Sequence, residues 1–181
     1  MLAALLTGVL ATRPVMRVVL ERSAIHNGPW STSLGTGSAG AGFYLRSFVA
    51  VAGLYALSRD ETVYYTAFTD GSGEPLDGRC DYRLAGRPLP ARWWSMTLYG
   101  ADHYLVPNIA GVYSRHASNL ALDADGGYAV PVSAQGQARN WLPAPPVGAF
   151  SITLRLYNPA AEVHADPAGI ALPSITRMAC R

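Results

Sequence analysis

The stretch 150-FSITLRLY-157 decides the fold of this chain. Its four apolar residues alternate strictly with Ser, Thr, Arg and Tyr, so a strand here would direct each set to one face. A strand with one apolar and one polar face is typical of an antiparallel sheet that packs on a core. The sequence therefore predicts a mainly β domain built around this strand.

Further candidate strands lie between Gly, Pro and Asp turn residues along the rest of the chain. They span residues 62–69, 80–84, 93–99, 104–106, 128–132 and 175–178. Short strands joined by turns, without a second amphipathic helix, indicate an antiparallel jelly-roll-like β-sandwich.

Three segments are predicted to organise the chain. Residues 1–25 open with twelve uncharged, mostly aliphatic residues and predict an apolar helix, either a membrane anchor or a signal-like helix. Residues 26–42 are rich in Gly, Ser and Thr and predict a linker. Residues 43–181 form the predicted β-sandwich domain, which begins with a short amphipathic helix over 43–57.

The N-terminal segment allows three membrane-related interpretations: an uncleaved transmembrane anchor, a signal peptide, and part of a longer membrane helix. An amphipathic helix of a soluble protein is the alternative to all three. We favour an anchor that packs against a membrane-protein complex and holds the globular domain in the periplasm, at the bacterial inner membrane. Arg13, Arg17 and Arg22 oppose this placement, because the positive-inside rule would leave that flank in the cytoplasm.

The composition excludes several classes of protein. Half of the residues are hydrophobic and 14% are charged, which is too apolar for a disordered chain and too mixed for a multi-span membrane protein. Every basic residue is Arg, as GC-rich bacterial coding favours, and the net charge is +2. That charge comes from the N-terminal segment, and a neutral body argues against nucleic acid as a partner.

Cys80 and Cys180 are the two cysteines of the chain. Neither belongs to a C-x-x-C motif or a Cys/His cluster, so a zinc site is not expected. In an exported chain they predict a disulfide, which would add roughly 3–5 kcal/mol in the chain-entropy model. Two unrelated buried thiols are the alternative.

A series of motifs, in order, resembles a known family. The motifs are Gly53-Leu-Tyr-Ala-Leu57, Glu61-Thr-Val-Tyr-Tyr65, Asp70-Gly-Ser-Gly73, Pro75-Leu-Asp-Gly78, Tyr82, Ala91-Arg-Trp-Trp-Ser-Met-Thr-Leu-Tyr99, Asp102, Leu105, Asn108, Asn140-Trp-Leu-Pro143 and Phe150–Tyr157. Over residues 43–178 the chain resembles the bacterial family known as domain of unknown function 1214. The resemblance implies a jelly-roll-like sandwich that is often exported or anchored, and that in larger relatives follows a partner domain. It implies no established chemistry.

The chain departs from the family pattern after Asn108. Val112 stands where the family usually has Arg. An anion or carboxylate contact made by that Arg would be lost, unless Arg115 replaces it.

Seven residues carry binding chemistry in a pattern that suits a ligand site: Trp93, Trp94, Tyr99, Asp102, Asn108, Asn140 and Trp141. Aromatic rings beside carboxylate and amide groups can form a cleft for sugars or other rings, with stacking on one side and hydrogen bonds on the other. The alternative is that the Trp residues fill the core while the polar residues satisfy loop amides. No cofactor or metal is predicted, because the chain has no Walker loop and no histidines at metal-ligand spacing. Its match to G-x-G-x-x-G, Gly35-Thr-Gly-Ser-Ala-Gly40, follows no predicted strand and indicates a linker.

Two functions follow from these residues. The first is a non-catalytic binding or accessory module, anchored by residues 1–25, that docks to a membrane-protein complex or to an envelope component. The second is a small hydrolase or carbohydrate-active domain using Asp102 with Asp70 or Asp77, because paired carboxylates suit acid–base chemistry on glycosides. The absence of a G-x-S-x-G or H-E-x-x-H motif favours the first.

Overall fold

The fold is mainly β, as the sequence predicts. The computed structural model describes residues 18, 24–35, 38, 40, 42–51, 57–136 and 139–181. In these residues the strands are β1 (Ile25–Asn27), β2 (Trp30–Thr32), β3 (Thr62–Ala67), β4 (Cys80–Gly86), β5 (Ala91–Gly100), β6 (Ser114–His116), β7 (Tyr128–Ser133), β8 (Leu142–Pro143), β9 (Phe150–Pro159) and β10 (Ser174–Cys180). The helices described are α1 (Phe43–Val51) and α2 (Ala161–Ala165).

The strands form two sheets. A six-stranded sheet has the order β1-β2-β3-β9-β5-β6, and all its pairs are antiparallel. A four-stranded sheet has the order β10-β4-β7-β8, in which β7 and β8 run parallel. This sheet is therefore mixed, whereas the sequence predicts antiparallel pairing throughout. β8 is a two-residue edge strand, and Pro143 within it has no amide hydrogen to donate.

The strand that decides the fold, β9, lies in the middle of the six-stranded sheet between β3 and β5. Its residues Ile152, Leu154 and Leu156 are fully buried in the core. The opposite face is less open than alternation alone predicts, since Ser151 and Thr153 are also buried. In the register, Thr153 lies opposite another threonine on each neighbouring strand.

Both sheets contribute to one hydrophobic core. Trp94 of β5 stacks on Tyr128 of β7 with ring centroids 5.3 Å apart. Tyr82 of β4 meets Phe150 of β9 edge to face at 5.7 Å. These aromatic pairs join the two sheets, because each pair has one ring from each sheet.

A disulfide joins Cys80 to Cys180 across 100 residues of chain, which confirms the predicted pairing. It fastens the end of β10 to the start of β4, its partner in the four-stranded sheet.

The N-terminal third differs in part from the sequence-based expectation. The stretch predicted as a linker holds all of the β1–β2 hairpin except Ile25, and the two-residue loop of the hairpin begins at Gly28 with a φ of 58°. Such a tight hairpin loop needs a positive φ at its first residue, which glycine adopts without strain. The predicted helix over 43–57 is observed as α1, and residues 52–56 lie outside the described part of the chain.

The predicted apolar helix over residues 1–25 falls almost entirely outside the described residues. Of the helices that are described, none has the length and apolar character needed to cross a membrane.

Candidate functional site

The structure distributes the seven predicted site residues over three regions. Trp93 and Tyr99 lie on the outer face of β5, away from the core, and Trp94 lies in the core. Asp102 and Asn108 lie in the loop between β5 and β6, and Asn140 and Trp141 lie just before β8. Trp93 and Tyr99 therefore share a face, at opposite ends of a strand segment about 20 Å long.

The two asparagines hold loops in place. Asn140 is buried, with its backbone at a φ of 57°. Its amide accepts a hydrogen bond from the Ala121 amide at 2.9 Å and donates to the carbonyls of Ala121 and Ala129. Asn108 bonds in the same way to the backbone of Val106 and Val112. Their polar groups thus serve neighbouring backbone.

Trp141 and Arg115 form another internal contact. The Trp141 indole donates to the Ser133 carbonyl at 2.9 Å, and the Trp141 carbonyl accepts two hydrogen bonds from the Arg115 guanidinium at 2.9 and 2.5 Å. Burial lowers the pKa of Arg115 below the ordinary arginine value. The sequence suggested that Arg115 could bind an anion in place of the Arg missing at position 112. In the structure its guanidinium binds a backbone carbonyl instead.

Asp70 is a buried carboxylate, 1% exposed, with its own set of partners. It accepts hydrogen bonds from the Ser72 hydroxyl and from the amides of Ser72 and Glu74, and it forms an ion pair with Arg177 at 2.9 Å. Burial alone would raise the pKa of Asp70, but these hydrogen bonds and Arg177 outweigh it and hold the pKa below its ordinary value.

Asp77 and Asp102, the other two candidate acids, are held locally as well. Arg79 binds the Asp77 carboxylate through two nitrogens, and its side-chain and backbone hydrogen bonds lower the pKa of Asp77 to about 2. Asp102 is exposed and accepts a hydrogen bond from the Tyr104 amide at 3.0 Å.

The outer sheet face is the surface of the six-stranded sheet that turns away from the core. The strand register places side chains from β3, β9, β5 and β6 on this face: Thr62, Tyr64, Thr66, Ser151, Thr153, Arg155, Tyr157, Trp93, Ser95, Thr97, Tyr99, Ser114 and His116. Small hydroxyl groups occupy its middle, and Thr66 and Thr153 share a hydrogen bond of 3.1 Å there. Larger half-buried side chains surround them.

An aromatic cluster, made of Trp93, His116 and Tyr157, lies at one end of the outer sheet face. Trp93 lies opposite Tyr157 in the register of β5 and β9. The Trp93 ring is 5.2 Å from the Tyr157 ring and 5.0 Å from the His116 ring, centroid to centroid. The Trp93 indole nitrogen donates to the Ser118 hydroxyl at 2.9 Å. Rings that are half exposed and fixed in this way can stack against a ligand ring.

Arg155 occupies the next outward position of β9. Its guanidinium carbon lies 5.4 Å from the Tyr99 ring centroid and 5.9 Å from that of Tyr64. One guanidinium nitrogen donates to the Tyr99 hydroxyl at 2.6 Å. The Tyr64 hydroxyl in turn accepts a hydrogen bond from the Leu57 amide at 3.0 Å.

The site predicted from the sequence does not include Tyr64, Arg155, Tyr157 or His116. The alternation in 150–157 was sufficient to place Arg155 and Tyr157 on one face. It was not sufficient to place them beside Trp93 and Tyr99, because that proximity depends on the pairing of β9 with β5.

An open cleft of about 720 Å³ lies elsewhere in the molecule, between the end of β4, helix α2 and the loop before β10. Residues 86–90, Glu162, Asp166 and residues 169–172 line it. Asp166 accepts a hydrogen bond from the Gly169 amide at 3.0 Å. In the part of the chain that is described, no three His, Cys, Asp or Glu side chains lie close enough together to hold a metal ion.

Comparisons with known proteins give a family and a fold. Residues 61–161 match the family described as "Protein of unknown function (DUF1214)". None of the curated proteins matches the chain. The crystal structure of the VPA0106 protein from Vibrio parahaemolyticus is similar with a TM-score of 0.63 and 26% identity, over 77% of this chain and 36% of the other.

A crystal structure of an uncharacterised protein from Burkholderia cenocepacia has a similar fold, with a TM-score of 0.52 and 19% identity over 97% of this chain. This chain spans 36% of the Vibrio chain and 42% of the Burkholderia chain, well under two thirds of either. Since the family match extends over more than half of its residues, the chain belongs to the DUF1214 family of proteins of unknown function.

Proposed function

We propose that this protein is a non-catalytic binding module that recognises a sugar or similar ring-bearing component of the bacterial envelope on its outer sheet face. The observation that carries the proposal is the aromatic cluster, in which Trp93 packs between His116 and Tyr157 while all three rings stay partly exposed. Aromatic faces beside hydrogen-bonding groups suit sugar rings, which have apolar faces and polar edges.

The rigidity of the cluster supports this proposal. Trp93 and Tyr157 belong to the paired strands β5 and β9, whose register extends from Ala91 to Gly100. The indole of Trp93 is fixed further by its hydrogen bond to Ser118. A surface that is ordered before binding loses little side-chain entropy when a ligand arrives.

The state of the candidate acids favours binding over catalysis. Glycoside hydrolysis needs two carboxylates about 5–9.5 Å apart across a bond of the substrate. Asp70 instead forms a buried ion pair with Arg177, and Asp77 forms an ion pair with Arg79. Asp102 accepts a hydrogen bond from the amide of Tyr104. Each carboxylate is thus committed to its own local structure.

A jelly-roll-like sandwich and a periplasmic location belong to the same proposal. The shared core of the two sheets supports the sandwich. The Cys80–Cys180 disulfide supports an oxidising compartment, and the apolar run in residues 1–25 supports an inner-membrane anchor that also contacts a membrane-protein complex. Fractionation of cells that produce the full chain tests the anchor: it should sediment with membranes, and a variant without residues 1–23 should not.

Affinity electrophoresis in gels that contain single soluble polysaccharides, acidic and neutral, tests the binding function. We expect at least one polymer to retard the protein, and Trp93→Ala to weaken binding roughly fivefold or more, since one stacked ring contributes about 1 kcal/mol or more. Tyr104→Ala is the matched control, because Tyr104 is 75% exposed in the β5–β6 loop and lies outside the cluster. The proposal fails if no polymer retards the protein or if both variants bind like the wild type.

A further inference from the structure

Arg155 has no acidic partner in the described part of the chain. Six arginines form ion pairs with Asp: Arg59, Arg79, Arg87, Arg139, Arg177 and Arg181. Arg155 is half-buried and, among the described residues, contacts no carboxylate. A guanidinium that has lost part of its hydration without gaining a counter-charge is well suited to bind an anionic ligand.

The surroundings of Arg155 contain hydroxyls and rings and no acid. None of the side chains that define the outer sheet face is Asp or Glu. Arg155 therefore sets the charge of this face, and an anionic ligand would meet no carboxylate among these side chains.

Two tyrosines hold the guanidinium and leave donors available. The rings of Tyr64 and Tyr99 flank it at cation–π distance. Only one nitrogen, which donates to the Tyr99 hydroxyl, has a hydrogen-bond partner among the described residues. A guanidinium has five N–H donors in a rigid fork that matches the two oxygens of a carboxylate.

Arg155 also lies next to the aromatic cluster. Tyr157 is two residues further along β9 on the same face, a rise of about 7 Å. Trp93 and Ser95 are the register partners of Tyr157 and Arg155 on β5. One ligand can therefore stack a ring on the cluster and present a negative group to Arg155.

We infer that the ligand is a carboxylated sugar polymer, and that Arg155 binds its carboxylate while Trp93 and Tyr157 contact its rings. This inference rests on the proposed function and goes beyond it by assigning the charge of the ligand and the residue that reads it.

The test compares polygalacturonate and alginate, two polymers of carboxylated sugars, with fully methyl-esterified polygalacturonate, which keeps the rings and loses the charge. We expect affinity electrophoresis to show at least tenfold weaker binding to the ester.

Arg155→Gln should weaken binding to the acidic polymers about tenfold and leave binding to the ester unchanged. The affinity of Arg155→Lys for the acidic polymers should fall between those of Arg155→Gln and the wild type. Arg92→Gln is the control, because Arg92 is exposed on β5 and no ion pair is seen for it in the described part of the chain. Thermal unfolding of each variant confirms that it is folded.

The outcomes separate the inference from the proposed function. Equal binding of acid and ester, with no effect of Arg155→Gln but a loss in Trp93→Ala, overturns the carboxylate inference and leaves the binding function standing. If neutral polymers alone retard the protein, the carboxylate inference is likewise overturned and the binding function stands. Equal losses in Arg155→Gln and Arg92→Gln would reveal unspecific charge attraction and overturn the inference, and retention by no polymer at all overturns both.

Discussion

The hydroxyls of two buried tyrosines differ in their hydrogen bonding. The Tyr65 hydroxyl donates to the Pro167 carbonyl at 2.9 Å, and burial, with a smaller contribution from Asp166, raises the pKa of Tyr65 to about 12. The Tyr128 hydroxyl is buried without a partner in the described structure, and burial raises its pKa above the ordinary value. A buried polar group without a partner destabilises the folded state.

Removing the two hydroxyls should therefore affect the free energy of unfolding differently. We expect Tyr128→Phe to leave the free energy of unfolding unchanged or raise it by up to about 1 kcal/mol, and Tyr65→Phe to lower it by about 1 kcal/mol. Urea titration followed by tryptophan fluorescence measures both. Equal losses in the two variants would show that the Tyr128 hydroxyl has a partner in solution.

Asp70 should make the protein sensitive to acid. Its pKa is lower in the folded protein than in the unfolded chain, so between the two values the unfolded chain binds more protons. The stabilisation is complete above the unfolded pKa of about 4 and is lost as the pH falls through the lower, folded value. We expect the free energy of unfolding to decrease below about pH 4, and Asp70→Asn to flatten that decrease.

At neutral pH, Asp70→Asn should lower the free energy of unfolding by about 2–4 kcal/mol, because it leaves Arg177 without its buried counter-charge. Arg177 keeps some solvent contact, with 31% of its side chain exposed, so the loss falls below that of a fully enclosed pair. Asp60→Asn is the control, since Asp60 is 84% exposed. Equal pH profiles for Asp70→Asn and the wild type would contradict this role of the carboxylate.

At the scale of elements, the disulfide secures an edge strand. Among the described strands β10 pairs with β4 alone, and its register becomes irregular between Arg177 and Cys180. Replacing both cysteines by Ser should lower the free energy of unfolding by up to about 4–5 kcal/mol in the chain-entropy model for a closed loop of this length.

Hydrogen exchange can locate that effect. In the Cys80→Ser, Cys180→Ser variant, amides of residues 174–180 should exchange faster than in the wild type, beyond the general change in stability. Amides of β9 report only that general change, because β9 is paired on both sides. Uniform acceleration over both strands would mean that the disulfide acts on the unfolded chain alone.

Strand length decided which elements could be predicted. The strands β3, β4, β5, β7, β9 and β10 each have at least six residues, so their period of two is visible in the sequence. β1, β2, β6 and β8 have two or three residues and show no period. They exist because neighbouring strands offer unpaired backbone groups, which is a property of the assembled sheet.

At the scale of the whole molecule, the common core should make both sheets unfold together. Leu154 is fully buried in β9, between Tyr65 and Met96 in the register. We expect Leu154→Ala to lower the free energy of unfolding by about 2–5 kcal/mol. Near-UV and far-UV circular dichroism should then report the same, lower midpoint. Two separate midpoints would show that the sheets are independent units.

The sequence by itself determined the β content and the two faces of β9, and it predicted the disulfide. These follow from local patterns or from simple counting, since alternation is a property of consecutive residues and the chain has only two cysteines. Only the tertiary structure decided that Trp93 meets Tyr157 and that Arg155 lies between Tyr64 and Tyr99. The physical reason is that the register between strands distant in the chain depends on the packing of the whole core, and a shift of one residue would turn the side chains of the shifted strand to the opposite face.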